Sequence, residues 1–216
     1  MNEFLLAHGW RLVDQAGLPR QTMAGFLRPV VRAVPKGLAA RLGSCRVILL
    51  PRLEDAISRW TQTEGRLEIE LATEEVEPHD LALELLVCLG QALWESASAE
   101  ERAAYLVLLE HEIAADVSGE IDEDALEEKR RLLSSPLLAR SPRRLERYAA
   151  ASFAGTAAEY VHALWHDVTV RTGPDYLPAE WLRRRLELLA HWFPPPRGRR
   201  LFSGGQAPVP GGESGF

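Results

Sequence analysis

The sequence predicts an α+β protein in which a small N-terminal sheet is followed by a mostly helical half. Two runs between residues 45 and 72, "CRVILLPR" and "GRLEIELA", show the compact apolar and the alternating patterns of buried and half-buried strands. From residue 80 onward the apolar residues recur at helical spacing instead. Strands that come first and helices that follow are typical of segregated elements, which define the α+β class.

Length and composition predict one folded domain. The chain has 216 residues, of which 46% are hydrophobic and 26% are charged, so it can bury a core without help from a partner. We expect this domain to span residues 1–193. The remaining stretch, 194–216, is dense in Pro and Gly and has no periodicity, which predicts a disordered tail.

Charge and chain-wide motifs exclude several functions. The net charge of −6 argues against nucleic acid as a partner, because phosphate binding depends on an excess of Lys and Arg. The chain has no long apolar run and no basic leader, so we expect no membrane contact and a cytoplasmic location. A G-x-S-x-G motif, a phosphate-binding glycine loop and a Cys-x-x-Cys pair are all absent from the sequence. Cys45 and Cys88 are interpreted as reduced core residues.

Proline, glycine and capping residues mark the expected elements. Pro29 is expected to bend or end a short helix near the N-terminus. Ser98 with Glu101 forms a candidate capping box, and Gly155 is expected to stop a helix that begins after Ser141. The predicted helices cover residues 80–96, 98–119, 122–135, 141–155, 156–168 and 178–193. The helix over 80–96 is apolar on most faces and should be buried on several sides.

The stretch "LLVCLGQALWE" resembles the active-site helix of zinc peptidases, which often reads H-E-L-G-H-A-L-W. A later stretch, "RYAAASFAGTAAEYVHALW", resembles the Y-A-x-x-x-P-x-E-D-F-A-E segment of bacterial families of zinc-binding metallopeptidases. Together with the preceding strand and the closing helix over 178–193, the resemblance covers residues 45–193. It implies a zincin-like fold and places Glu159 at the position of the family's third metal ligand.

The ligands that the resemblance requires are missing. In an H-E-x-x-H helix the two histidines, one turn apart, bind zinc, and the glutamate acts as general base on the metal-bound water. The matching positions here are Val87, Cys88 and Gln91. Valine has no donor atom, an amide is a poor zinc ligand, and a thiol is a poor base at neutral pH. Gly90 is retained and would allow another element to approach closely.

Other residues could supply a displaced metal site. Glu159, His162 and His166 have spacings of three and four and share one helix face, to which His111 or His79 could add a ligand. The alternative is that the three are surface polar residues beside an apolar stripe.

A weaker candidate for the third ligand is Glu112 with Asp116, which follow Gln91 at a thermolysin-like spacing. Their alternative interpretation is a solvated helix face. The arginine clusters at 143, 144 and 147 and at 183–185 are interpreted as solvated faces in the same way.

Three functions remain. The first is a catalytically inactive, metallopeptidase-like binding or scaffold module without a cofactor, which binds a protein or peptide in the vestigial cleft. The second is a metalloenzyme, with zinc held by Glu159, His162 and His166. The third is a helical protein-interaction domain unrelated to peptidases, which would have no strand before the helix over 80–96 and no proximity of Gln91 to Glu159.

Overall fold

The computed structural model describes residues 2–166 and 171–202, and these form an α+β fold. Within those ranges the N-terminal part contributes a five-stranded sheet and the remainder is mostly helical. The strands are β1 (Asn2–Leu5), β2 (Arg11–Asp14), β3 (Ser44–Leu50), β4 (Ser58–Thr63) and β5 (Arg66–Ala72). They lie in the order β1-β2-β3-β5-β4, with β2, β3 and β5 parallel to one another and β1 and β4 antiparallel at the two edges.

Nine α-helical segments lie within the described residues. They are α1 (Arg20–Thr22), α2 (Arg28–Ala33), α3 (Lys36–Leu42), α4 (Pro78–Glu95), α5 (Ala99–Ala114), α6 (Glu123–Leu133), α7 (Pro136–Ala139), α8 (Pro142–Trp165) and α9 (Ala179–Trp192). A π-helical segment, Met23–Leu27, joins α1 to α2. None of the helices in this part of the chain combines the length and the apolar character that a membrane crossing requires.

The two strands predicted from the sequence form the centre of the sheet. Strand β5 buries Leu67, Ile69 and Leu71 completely, while Glu68 and Glu70 on its other face remain partly exposed. This alternation is the half-buried pattern that the sequence predicts. The other three strands were not predicted. The edge strands β1 and β4 have no buried residue, so their apolar signal is weak, whereas β2 buries three of its four residues but is too short to show a clear pattern.

Helix α4 is buried on several sides, as its sequence predicts. It packs against α8 on one side and against β4 and β5 on the other. The capping box of α5 is also confirmed, because the Ser98 hydroxyl accepts from the backbone of Glu101 and the Glu101 carboxylate accepts from the backbone of Ser98.

The sequence predicts that Pro29 bends or ends a helix. The helix does not end there, since α2 continues to Ala33, but the backbone changes from π-helical to α-helical at Arg28, directly before Pro29. Gly155 does not stop a helix either, because α8 passes through it without interruption. A Cβ atom at position 155 would lie 1.8 Å from Oδ2 of Asp122. Gly155 is therefore explained by a close tertiary contact, which a local stop signal cannot reveal.

Helices α4 and α8 cross at Gly90 and run in opposite directions. A Cβ atom at Gly90 would lie 2.5 Å from the carbonyl oxygen of Ala154, so only glycine permits this approach. The antiparallel direction follows because His79, at the start of α4, has its ring 5.5 Å from that of His162, near the end of α8. The sequence predicts that another element approaches Gly90 closely, and α8 does so.

We predict that Gly90→Ala lowers the free energy of unfolding by about 1–3 kcal/mol, because the added methyl group meets backbone atoms that can yield only if the helices separate. Urea denaturation followed by circular dichroism measures the change. Gly25→Ala is the matched control, since a Cβ atom there meets nothing within 4 Å. The control should be neutral or stabilising by up to about 1 kcal/mol. Equal stability of the two variants would contradict the close crossing.

Candidate functional site

A groove of about 670 Å³ lies between α4, α8 and the segment that leads into α6. Its volume is within the range of about 300–1,000 Å³ that is usual for ligand sites. Apolar side chains from α4, from α6 and from the segment before α6 line part of it, namely Leu83, Val87, Ile121 and Leu126. Carboxylates line much of the rest: Glu120, Asp122, Glu123, Glu127, Glu159 and Asp175. The groove thus combines an apolar with an acidic lining, which we call its floor and its rim.

The three positions of the lost zinc motif have different surroundings. Val87 lines the groove, whereas Cys88 is buried on the adjoining face of α4. Burial raises the pKa of the Cys88 thiol to about 11, so the thiol is neutral at physiological pH. Gln91 faces the edge strand, where its side-chain carbonyl oxygen accepts a 2.7 Å hydrogen bond from the indole N–H of Trp60. None of these three side chains supplies a metal ligand or a base in this arrangement.

The second set of predicted residues lies at the last turns of α8. Glu159 lines the groove, and its Oε2 atom is 3.6 Å from Nδ1 of His162. His166 follows the end of α8, with its ring 5.5 Å from that of His162. His79, which the sequence analysis names as an additional ligand, completes a group of three imidazoles here. His111 lies on α5 and is exposed.

Glu112 does not lie on a solvated helix face, contrary to the expectation from the sequence. Its side chain is 0% exposed, and both carboxylate oxygens accept hydrogen bonds from the guanidinium of Arg185. Arg185 is also 0% exposed, so the solvated-face interpretation is wrong for this arginine too. Asp116 is exposed, in a left-handed conformation with φ of 56°. Because Arg185 occupies both oxygens of Glu112, that carboxylate has little capacity left for a metal ion.

A buried ion cluster surrounds Arg185 and joins most of the helical half. The guanidinium uses all five N–H donors, which reach Glu112, Glu120 and Ser152. The ammonium of Lys129, 1% exposed, donates to Glu120 at 3.3 Å. Two cations and two carboxylates make the cluster neutral, which is the condition under which buried charges are tolerated. Alone, burial would raise the pKa of Glu120, but the neighbouring Arg185 and Lys129 charges outweigh it and lower that pKa to about 2.

Asp122 connects this cluster to the groove. Its Oδ1 atom caps α6 by accepting a 2.8 Å hydrogen bond from the backbone of Ala125. Burial is the main cause that raises the pKa of Asp122 to about 6, and the charges of Glu120 and Asp124 add to it. Asp122 therefore changes charge near physiological pH while it lines the groove.

The ion cluster was not predicted from the sequence, although a signal for Arg185 exists. Arg185 lies three residues after Leu182 and four before Leu189, so helical spacing places it on the apolar face of α9. An arginine on such a face needs buried acidic partners.

Comparisons with family models, with curated proteins and with solved structures found no match for the chain.

We predict that Arg185→Met destabilises the fold by about 3–5 kcal/mol, because it leaves two buried carboxylates facing one ammonium. Equilibrium unfolding in urea measures the loss. Arg183→Met is the control, since the side chain of Arg183 is 60% exposed and its pair with Glu187 is solvated. The free energy of unfolding of Arg183→Met should be lower than that of the parent by at most about 1 kcal/mol. Adding Glu112→Met to Arg185→Met should recover part of the loss, and a further loss would contradict the ion-cluster account.

A second prediction concerns Asp122. Its folded pKa is raised from 3.8 to about 6, so its contribution to stability is complete below about pH 3.8 and is lost as the pH rises through 6. Asp122→Asn keeps the cap and removes the buried charge. The variant should therefore be more stable than the parent by about 1–3 kcal/mol at pH 7 and equally stable at pH 4. Urea denaturation across this range checks the difference, with Asp55→Asn as control, since Asp55 is exposed and does not act on the pKa of Asp122.

Proposed function

We propose that the protein is a catalytically inactive, zincin-like binding protein whose groove receives a cationic segment of a protein partner. The observation that carries the proposal is that Val87 and Glu159 line the same groove. In the zinc peptidases that the chain resembles, the two matching positions hold metal ligands beside the substrate cleft. The groove is therefore the counterpart of that cleft, with a valine in place of the first histidine.

The surroundings of the other motif positions support the absence of hydrolysis by this route. The buried thiol of Cys88, with its pKa raised to about 11, cannot act as the carboxylate base would. The amide of Gln91 is engaged by Trp60 of the edge strand. Both side chains contribute packing and hydrogen bonding between α4 and the sheet, which is a structural role.

The element order also favours a zincin-like protein over a purely helical interaction domain. Strand β5 ends at Ala72, and α4 begins six residues later at Pro78. The antiparallel edge strand β4 contacts α4, where Ser58 donates a 3.0 Å hydrogen bond to Glu84. A helical domain unrelated to peptidases was expected to have no strand before this helix.

The charges of the groove favour a cationic partner. Glu120 is neutralised by Arg185, and Asp175 pairs with Arg130 at the rim. Within the described residues, the lining carboxylates of Asp122, Glu123 and Glu159 form no ion pair with an arginine or lysine, and Arg171 is the one further lining cation there. The surplus is negative, so lysine and arginine side chains complement it electrostatically.

The floor of the groove adds an apolar requirement. Leu83 and Val87 lie one turn apart on α4 and line the groove together with Leu126 of α6. A peptide that alternates apolar and cationic residues can place one set on this floor and the other on the acidic rim. We therefore assign the partner as a basic, amphipathic segment of a protein.

We predict that a fluorescein-labelled peptide of alternating lysine and leucine binds the protein with one-to-one stoichiometry in fluorescence anisotropy. Val87→Arg should weaken this binding at least tenfold, because the guanidinium fills the floor and adds a like charge. Val107→Arg is the matched control: Val107 is 49% exposed on α5, outside the groove lining. Its affinity should stay within twofold of the parent.

Two further measurements separate this function from the alternatives. A peptide of alternating glutamate and leucine should not bind, and added salt should weaken the binding of the peptide of alternating lysine and leucine. The protein should leave casein and quenched fluorescent peptides intact, with or without added zinc. Hydrolysis that Val87→Arg abolishes would overturn the inactive assignment, and equal binding of both peptides would overturn the electrostatic one.

A further inference from the structure

Three of the six histidines meet where α4 begins and α8 ends. One ring nitrogen from each of His79, His162 and His166 can be chosen so that all three atoms lie within 4.8 Å of one another. His79 and His162 are separated by most of the helical half in sequence and are brought together by the antiparallel crossing of α4 and α8. The group is therefore a product of the tertiary fold.

His162 has no hydrogen-bond partner for either ring nitrogen within the described residues, although its side chain is only 13% exposed. Buried polar atoms in folded proteins nearly always have partners, and an orphaned pair points to a water molecule or an ion at that place. Imidazole nitrogens are common ligands of transition-metal ions, and three imidazoles together form a suitable donor set.

Two carboxylates lie on the outer side of this group. Oε2 of Glu159 is 3.6 Å from Nδ1 of His162, and Oδ1 of Asp80 is 3.7 Å from Nδ1 of His79. In histidine metal sites, a carboxylate at one ring nitrogen holds the proton there and leaves the other nitrogen for the metal. Neither distance is a hydrogen bond, but each carboxylate lies where a small shift would let it accept the Nδ1 proton and leave Nε2 for the metal, which gives Glu159 a positioning role.

The distances fit a site that closes around its ion. Zinc binds imidazole nitrogens at about 2.0–2.1 Å, so the nitrogens of a tetrahedral site are about 3.3 Å apart. The three ring nitrogens must therefore move closer together. The movement is small for His79, which is 43% exposed in the first turn of α4, and for His166, which follows the last turn of α8. Trp165 packs beside both, with its ring centre 4.1 Å from that of His166 and 5.9 Å from that of His79.

We infer that His79, His162 and His166 bind one divalent transition-metal ion, with zinc as the first choice. Three imidazoles leave the fourth tetrahedral position for water or for a side chain of a partner. The site differs from the lost motif, since none of its ligands comes from positions 87, 88 or 91. The metal site goes beyond the proposed function of the groove. The metal-site proposal can fail while the groove proposal stands, and the reverse is also true.

Isothermal titration of untagged, chelator-treated protein with ZnCl₂ tests the inference. We expect one zinc per chain. His79→Ala and His162→Ala should each weaken binding at least 100-fold, whereas His111→Ala and His191→Ala, two exposed histidines outside the group, should stay within twofold. Glu159→Gln should weaken binding about tenfold without changing the stoichiometry, as expected for a residue that orients a ligand.

Cobalt absorption and thermal unfolding complete the test. Co²⁺ should give the visible bands of a four-coordinate site in the parent and in His111→Ala, and should give none in His79→Ala. Zinc should raise the unfolding midpoint of the parent and leave that of His79→Ala unchanged. Circular dichroism shows whether each variant is folded, and His79→Ala decides the result if His162→Ala is not.

Three outcomes would overturn the inference. The first is the absence of zinc binding to folded parent protein at 100-fold metal excess. The second is unchanged affinity in His79→Ala and His162→Ala, which would place the metal elsewhere. The third is loss of binding in Glu159→Gln with retention in His79→Ala, which would make Glu159 the ligand and exclude His79.

Discussion

Arg185 places a positive charge at the centre of the helical half, where its side chain is 0% exposed. A charged group that is buried away from water requires neighbouring groups of opposite charge and a hydrogen-bond partner for each of its donors. The end of α5 supplies Glu112, the segment before α6 supplies Glu120, and α8 supplies Ser152. These contacts hold the segment after Glu120 against α8, and that segment forms one wall of the groove. The position of the groove wall thus depends on the neutralisation of one buried guanidinium.

The crossing of α4 and α8 at Gly90 determines the other wall. Helices are rigid rods with a rise of about 1.5 Å per residue, so one fixed contact sets which residues face each other along the whole pair. Val87, one turn from the crossing, reaches the groove that Glu159 also lines. His79, about 16 Å along the axis from Gly90, reaches His162. A single backbone contact therefore positions both the groove and the histidine group.

The sequence predicts those features that depend on neighbours along the chain. The alternation in β5 and the cap of α5 are local patterns, and both are present in the fold. The interpretation of Gly155 as a stop is wrong because the reason for that glycine is Asp122, which is distant in sequence. The partners of Arg185 and the meeting of His79 with His162 depend on topology in the same way. Periodicity can place Arg185 on an apolar face, but it cannot name the carboxylates that neutralise it.

The two proposed sites are coupled through Glu159. This carboxylate belongs to the acidic rim and also lies 3.6 Å from Nδ1 of His162. A zinc ion bound to the three imidazoles would add two positive charges at the end of the groove, where charges within about 8 Å interact strongly at physiological salt. A bound metal would therefore oppose a cationic segment, and linkage would require the segment to weaken metal binding by the same factor. Leu83 lies one turn from His79 toward Val87, so a bound segment that extends in this direction approaches the open metal position. A segment carrying a histidine or carboxylate there would reverse the sign of the coupling, because it would complete the coordination of the metal. The residue that a partner places beside His79 thus decides whether metal and partner compete or bind together.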